Sequence, residues 1–139
     1  MSARSPWLPL PLLAALSFVC LGGCGEETEP QTPRRPGGPS GATCPESGGP
    51  TEQNFGQAFM ERYCLPCHSV DVGYTSRRGA PEEVNFDTLD DVRDWAEDID
   101  THAAAGPSAT NTEMPPSGRP KPTEEERRKL GEWLACGAP

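Results

Sequence analysis

Histidine is scarce in this chain, with only His68 and His102 among 139 residues. A zinc site started by a cysteine pair wants a second cysteine or histidine pair at short spacing, so zinc is poorly served. Basic residues are scarce too: 12 Lys and Arg stand against 21 Asp and Glu, for a formal net charge of −9. A nucleic-acid binder would need a basic face instead. Apolar residues reach only 34%, enough for a small core that needs a staple or a cofactor. Long hydrophobic runs are missing as well. The main apolar stretch, Trp7 to Leu21, is broken by Pro9 and Pro11 and falls short of the roughly 20 residues of a membrane span. The acid is spread through 82–100 and 124–126. It permits basic protein partners steered by long-range charge, and it serves plain solubility equally well.

What the chain does have begins with that stretch. A single basic residue, Arg4, precedes it, and residues 1–23 read as a secretory signal. At its end "LGGC" resembles the bacterial lipobox, with Leu21 three residues before Cys24 and the small Gly22 and Gly23 between. The resemblance implies cleavage before Cys24 and a diacylglycerol on its thiol; ordinary cleavage leaving Cys24 free is the alternative. The expected location is outside the cytoplasm, periplasmic or attached to the outer membrane by lipid. Residues 24–50 are rich in Pro and Gly without an apolar period. Such a segment offsets little of its ordering entropy and is expected to be a flexible tether. The domain proper is then 51–139.

Helical periodicity fills that domain. Phe55, Phe59 and Tyr63 form an i, i+4, i+8 stripe, with Asn54 and Gln57 as the expected capping pair. Leu89, Val92, Trp95 and Ile99 give one buried face to a helix over 88–104, with Asp87 or Thr88 as N-cap. A Thr123/Glu126 capping box opens a last helix whose apolar edge is Leu130, Trp133 and Leu134. The segments 69–86 and 106–122 carry Gly and Pro without helical period. About three helices, long loops and no credible hairpin predict an all-α fold.

The chemistry concentrates in "YCLPCHSV", residues 63–70, where Cys64, Cys67 and His68 fall within five positions. A thioredoxin-like pair wants a βαβ context, and no strand precedes this helix. A plain disulfide across two residues leaves His68 without a role. Covalent haem attachment at C-x-x-C-H uses all three. On a helical turn the two cysteines occupy neighbouring positions of one face, able to form thioethers to two edges of one porphyrin, and His68 follows directly to reach the iron.

From these residues the chain resembles a class I c-type cytochrome. The likeness extends to Gly56, Met60 and Cys64, spaced by four as in that family's first helix, and to Leu130 and Trp133 in its last. It covers roughly 52–137, and neither 69–86 nor the helix at 88–104 aligns with the family. The resemblance implies a cytochrome c-like fold around one covalently bound haem, with Cys64, Cys67 and His68 holding it. It also implies a close crossing of first and last helices at Gly56.

The distal ligand remains to be placed. Met60 lies on the proximal helix one turn before Cys64 and is expected only to pack. Met114 stands in "NTEMPPSGRP", where Pro115 drives it toward extended backbone and "MPP" resembles the family's methionine loop. His102 is the other candidate, although a histidine at a helix C-terminus also interacts favourably with the dipole. His/Met ligation raises the potential relative to bis-His and leaves no open position. The expected function is therefore one-electron transfer between redox protein partners, without enzymatic activity. The alternative is a haem enzyme or a gas or peroxide sensor with an open distal site. Pro81 is the expected carbonyl partner of the other His68 nitrogen. With Cys20 in the signal and Cys24 lipidated, Cys44 and Cys136 form an even remainder in an oxidising compartment. The family's crossing helices would bring them near enough for a disulfide.

Overall fold

Thr51 lies in extended backbone, its Oγ1 accepting from the Asn54 amide while Asn54 Oδ1 accepts from the Thr51 amide. This reciprocal cap opens the first of about four helices in the computed structural model, which describes residues 38–139. The capping pair is thus not Asn54 with Gln57. The Thr51 hydroxyl supplies the outer acceptor, and Asn54 closes the box from inside. Helix α1 runs without interruption through a π-helical segment Glu52–Gly56, an α turn Gln57–Phe59 and a second π-helical segment Met60–Cys64.

Helices α2 (Leu89–Asp94) and α3 (Ala96–Ala103) replace the single helix expected over 88–104. Thr88, not Asp87, caps α2. The two are parted by one residue, Trp95, at φ −97° and ψ 11°, in the bridge region between helix and strand. Neither proline nor glycine marks the break, so the apolar stripe crosses it unchanged. Helix α4 (Glu124–Ala135) starts from the expected Thr123/Glu126 box. No strand occurs among the described residues.

The core forms where α1 crosses α4. Leu130 and Trp133 are fully buried, and Phe59 and Met60 nearly so. The Phe55 and Trp133 rings meet edge to face with centroids 6.4 Å apart, and Phe59 stands 4.9 Å from Tyr63. A Cβ on Gly56 would lie 2.6 Å from Trp133 Cε2, so only glycine admits the indole this close. Gly131 plays the same part on the other side of α4, where a Cβ would lie 2.7 Å from the Ala105 carbonyl.

Cys44 and Cys136 are disulfide-bonded with Cα atoms 4.7 Å apart, across 92 residues. A loop of that length is worth about 4–5 kcal/mol in the chain-entropy picture. Residues 1–23, Cys24 and the start of the tether fall outside the described residues. Of positions 38–50, assigned to the tether from composition, Ser40 and Ala42 are buried. Ser40 is fully buried, its amide and Oγ donating to Asp100 Oδ1 and Oδ2, each at 2.7 Å. Asp100 is itself buried on α3. A buried carboxylate must have partners, and this Pro/Gly segment provides them.

Gly56→Ala tests the crossing. Alanine would gain about 1 kcal/mol of helix propensity, but overpacking a filled core costs typically 1–3 kcal/mol. The variant is expected to lose up to about 2 kcal/mol net in denaturant unfolding.

Candidate functional site

Helix α1 ends at Cys64, and the chain keeps turning beyond it: the Cys67 and His68 amides both donate to the Cys64 carbonyl, at 3.0 and 2.9 Å. That turn brings Cys64, Cys67 and His68 onto one wall of a cavity of about 230 Å³. Both cysteines are free thiols, in a chain whose other described pair is oxidised. Burial pushes the Cys64 thiol up to about 12, the reverse of the lowered pKa that makes a redox cysteine reactive.

His68 stacks on Phe86 with ring centroids 4.7 Å apart. Its Nδ1 lies 3.1 Å from the carbonyl of Val84, a group that can only accept, so Nδ1 carries the hydrogen and Nε2 keeps its lone pair. Burial also holds the imidazole below its ordinary pKa, against the pull of that carbonyl. The partner is Val84 and not Pro81, whose carbonyl accepts from Arg77 Nη2 at 2.6 Å. Asp87, free of the capping role, accepts from Ser69 Oγ at 2.6 Å and from the Val70 amide at 2.9 Å. It ties the chain just after His68 to the start of α2.

The cavity's other walls are mainly apolar. Phe59 and Tyr63 come from α1, Val84 and Phe86 from the loop before α2, and Trp95 and Ile99 from α2–α3. Met114, Pro115 and Pro116 line it from the loop before α4. The thioether expected as distal ligand and the expected proximal imidazole therefore share one cavity, although 46 residues separate them in sequence. His102 lines it too, with Nδ1 held 2.8 Å from Glu113 Oε2. Met60 is buried in the core and does not line the cavity.

A residue that sequence reasoning missed holds the Met114 loop. Arg127 on α4 is 3% exposed, and its Nη1 donates to the carbonyls of Ala103, Asn111 and Met114 at 2.6, 2.8 and 2.9 Å. The Met114 amide donates to the His102 carbonyl at 2.9 Å, and the Asn111 amide to that of Ala104 at 2.9 Å. Beside Arg127, Glu126 Oε1 accepts from Tyr63 Oη at 3.1 Å, joining α4 to the cavity wall. An arginine amid glutamates in "TEEERRKL" looks like one more surface charge; nothing in the pattern marks it as buried.

No family model matches the chain, and no curated protein or solved structure matches it either, so the site is interpreted from its own chemistry.

Arg127→Met would strand three carbonyls, each unpaired buried group costing about 1–3 kcal/mol. The amides of Asn111 and Met114 are expected to lose at least about tenfold of their hydrogen-exchange protection, while those of Leu130 and Trp133 keep theirs. A second prediction concerns acid. The Thr123 amide, its strongest influence, holds the Glu126 carboxyl below the usual carboxylate range. A lowered folded pKa gives stability that is present above about pH 4.3 and lost as pH falls through the folded value. Glu126→Gln keeps the capping geometry without the charge. Its denaturation midpoint is expected to lie below wild type at pH 6 and to converge with it toward pH 2.

Proposed function

We propose that this chain is an exported, lipid-anchored monohaem c-type cytochrome that carries single electrons, with Cys64 and Cys67 as thioether attachments and His68 and Met114 as axial ligands. The observation that carries this reading is the shared cavity. Two free thiols, an imidazole with an available Nε2 and a thioether line mainly apolar walls. That donor set fits a covalently attached porphyrin iron better than it fits zinc: two thiols and one imidazole leave a tetrahedral site one ligand short, and among the described residues no three Cys, His, Asp or Glu side chains converge as a metal cluster. A haem held there supplies one-electron chemistry at iron. The chain's own contributions are distinct. Cys64 and Cys67 would hold the porphyrin through thioethers, and Val84 selects the His68 tautomer. Met114 offers a soft donor that favours the ferrous state, and the apolar walls limit water. With both axial donors engaged, no position stays free for a substrate, so the protein acts as a carrier rather than an enzyme. The Cys44–Cys136 disulfide supports an oxidising compartment. The net charge of −9 suits basic redox partners met by electrostatic steering.

One observation favours a second reading: His102, a polar group, lines the same cavity as Met114. If Met114 did not ligate, His102 would stand beside an open site suited to peroxide or a diatomic gas.

Expression in a host with haem-attachment machinery decides between them. The mature protein is expected to gain the mass of one haem on the peptide bearing Cys64 and Cys67. Its ferric form is expected to show a sulfur-to-iron charge-transfer band that Met114→Ala abolishes and His102→Ala leaves in place. A haem protein without that band would favour the enzyme or sensor, and a colourless protein would dismiss both.

A further inference from the structure

The loop between His68 and α2 closes around one guanidinium. Arg77 follows the 3₁₀ turn Tyr74–Ser76, and the chain doubles back through Arg78 at φ 54° and Gly79 at φ 91°. It is 3% exposed, and all five of its N–H donors are taken. Nε donates to the Ala80 carbonyl at 3.3 Å. Nη1 donates to the Ser69 carbonyl at 2.7 Å and to Asn85 Oδ1 at 2.9 Å. Nη2 donates to the carbonyls of Pro81 and Val84 at 2.6 and 2.9 Å. None of these acceptors carries charge. The ion pairs among the described residues are Arg93–Asp90 and Lys129–Glu125. A chain with 21 acidic residues has thus buried this cation without an ion-pair partner within 4.0 Å.

One acceptor links Arg77 to the site. The Val84 carbonyl that takes Nη2 also takes His68 Nδ1, at 3.1 Å. A carbonyl bonded to that nitrogen raises the basicity of the ligating imidazole. A guanidinium on the same oxygen withdraws density from it and weakens the pull on the Nδ1 proton, leaving Nε2 a poorer donor to iron. The buried charge acts in the same direction, since in a medium of low dielectric it disfavours a more positive iron nearby. Both effects favour the reduced state.

We propose that Arg77 is a positioning residue for the proximal imidazole which, through the shared Val84 carbonyl and its uncompensated buried charge, raises the reduction potential of an iron bound at His68. The inference rests on the haem reading given above. It adds a determinant of redox poise that the C-x-x-C-H motif does not contain.

Redox titration of the holo-protein and two variants tests it. Arg77→Gln keeps hydrogen-bonding capacity but removes the charge. At fixed ambient potential its reduced-to-oxidised ratio is expected to fall at least tenfold, equivalent to about 59 mV for one electron. Arg77→Lys keeps a cation but loses the fork. It is expected to recover most of that shift while melting at least as low as the glutamine variant. Equal falls in both variants would mean that the arginine only organises the loop, and no fall in either would mean that its charge is not felt; each result overturns the proposal. If neither variant matures, the ferrous wild type decides. With the Val84 carbonyl labelled in ¹³C and the side chains in ¹⁵N, scalar couplings across hydrogen bonds are expected to that carbon from both His68 Nδ1 and Arg77 Nη2. Absence of either overturns the proposal. A wild type without haem would remove the parent reading and this inference together, whereas a holo-protein with unshifted variants removes this inference alone.

Discussion

Irregular backbone set against an apolar cavity must find partners for its carbonyls without help from a helix or sheet, and this constraint shapes the whole site. The two segments that carry it, 69–86 and 104–116, lack regular ladders. Each is gathered instead by one buried guanidinium. Arg77 accounts for the carbonyls of Ser69, Ala80, Pro81 and Val84, and Arg127 for those of Ala103, Asn111 and Met114. Arginine suits the task because its planar fork offers five fixed donors and stays charged when buried. Lysine, with three donors on a mobile stem, would satisfy fewer carbonyls and yield its proton more readily.

The helix crossing gives these clamps something rigid to act from. Arg127 belongs to α4, and α4 is fixed to α1 by Trp133 lying against Gly56. Because α1 ends at Cys64, the same crossing fixes where the Met114 loop hangs relative to the cysteines. The coupling has an electrostatic trace: the Arg127 charge works to lower the Cys64 thiol, though burial outweighs it. Packing at one glycine therefore propagates to the placement of a loop more than 50 residues away in sequence. The disulfide acts on the same frame, holding the segment before α1 to the end of α4.

What was legible in the sequence was what repeats locally. Periodic apolar residues marked the helices, Thr123 and Glu126 marked the start of α4, and the spacing of Cys64, Cys67 and His68 marked the site's first wall. The misses share a cause. The break at Trp95 has no proline or glycine to announce it. Val84 takes the place of Pro81 as the partner of His68 in a loop wrapped around Arg77, which bonds both carbonyls. The packing of Ser40 was hidden by a linker-like composition, since the reason for it is a carboxylate 60 residues away. Neither period nor propensity encodes these features.

The arrangement separates two kinds of charge. The exposed acids on α2, α3 and the first turn of α4 face solvent, where salt screens them beyond about 8–10 Å. Such charges govern encounter with a partner more than the energetics of a buried centre. Arg77 and Arg127 lie inside, screened little, and none of their hydrogen-bond partners is a carboxylate. Beside the cavity the molecule therefore carries two buried cations, even though its formal net charge is −9. On the proposed function, exposed acids and buried arginines let association and redox poise be adjusted separately. A surface substitution would alter how fast a partner arrives, and a change at either arginine would alter the affinity of the centre for its electron.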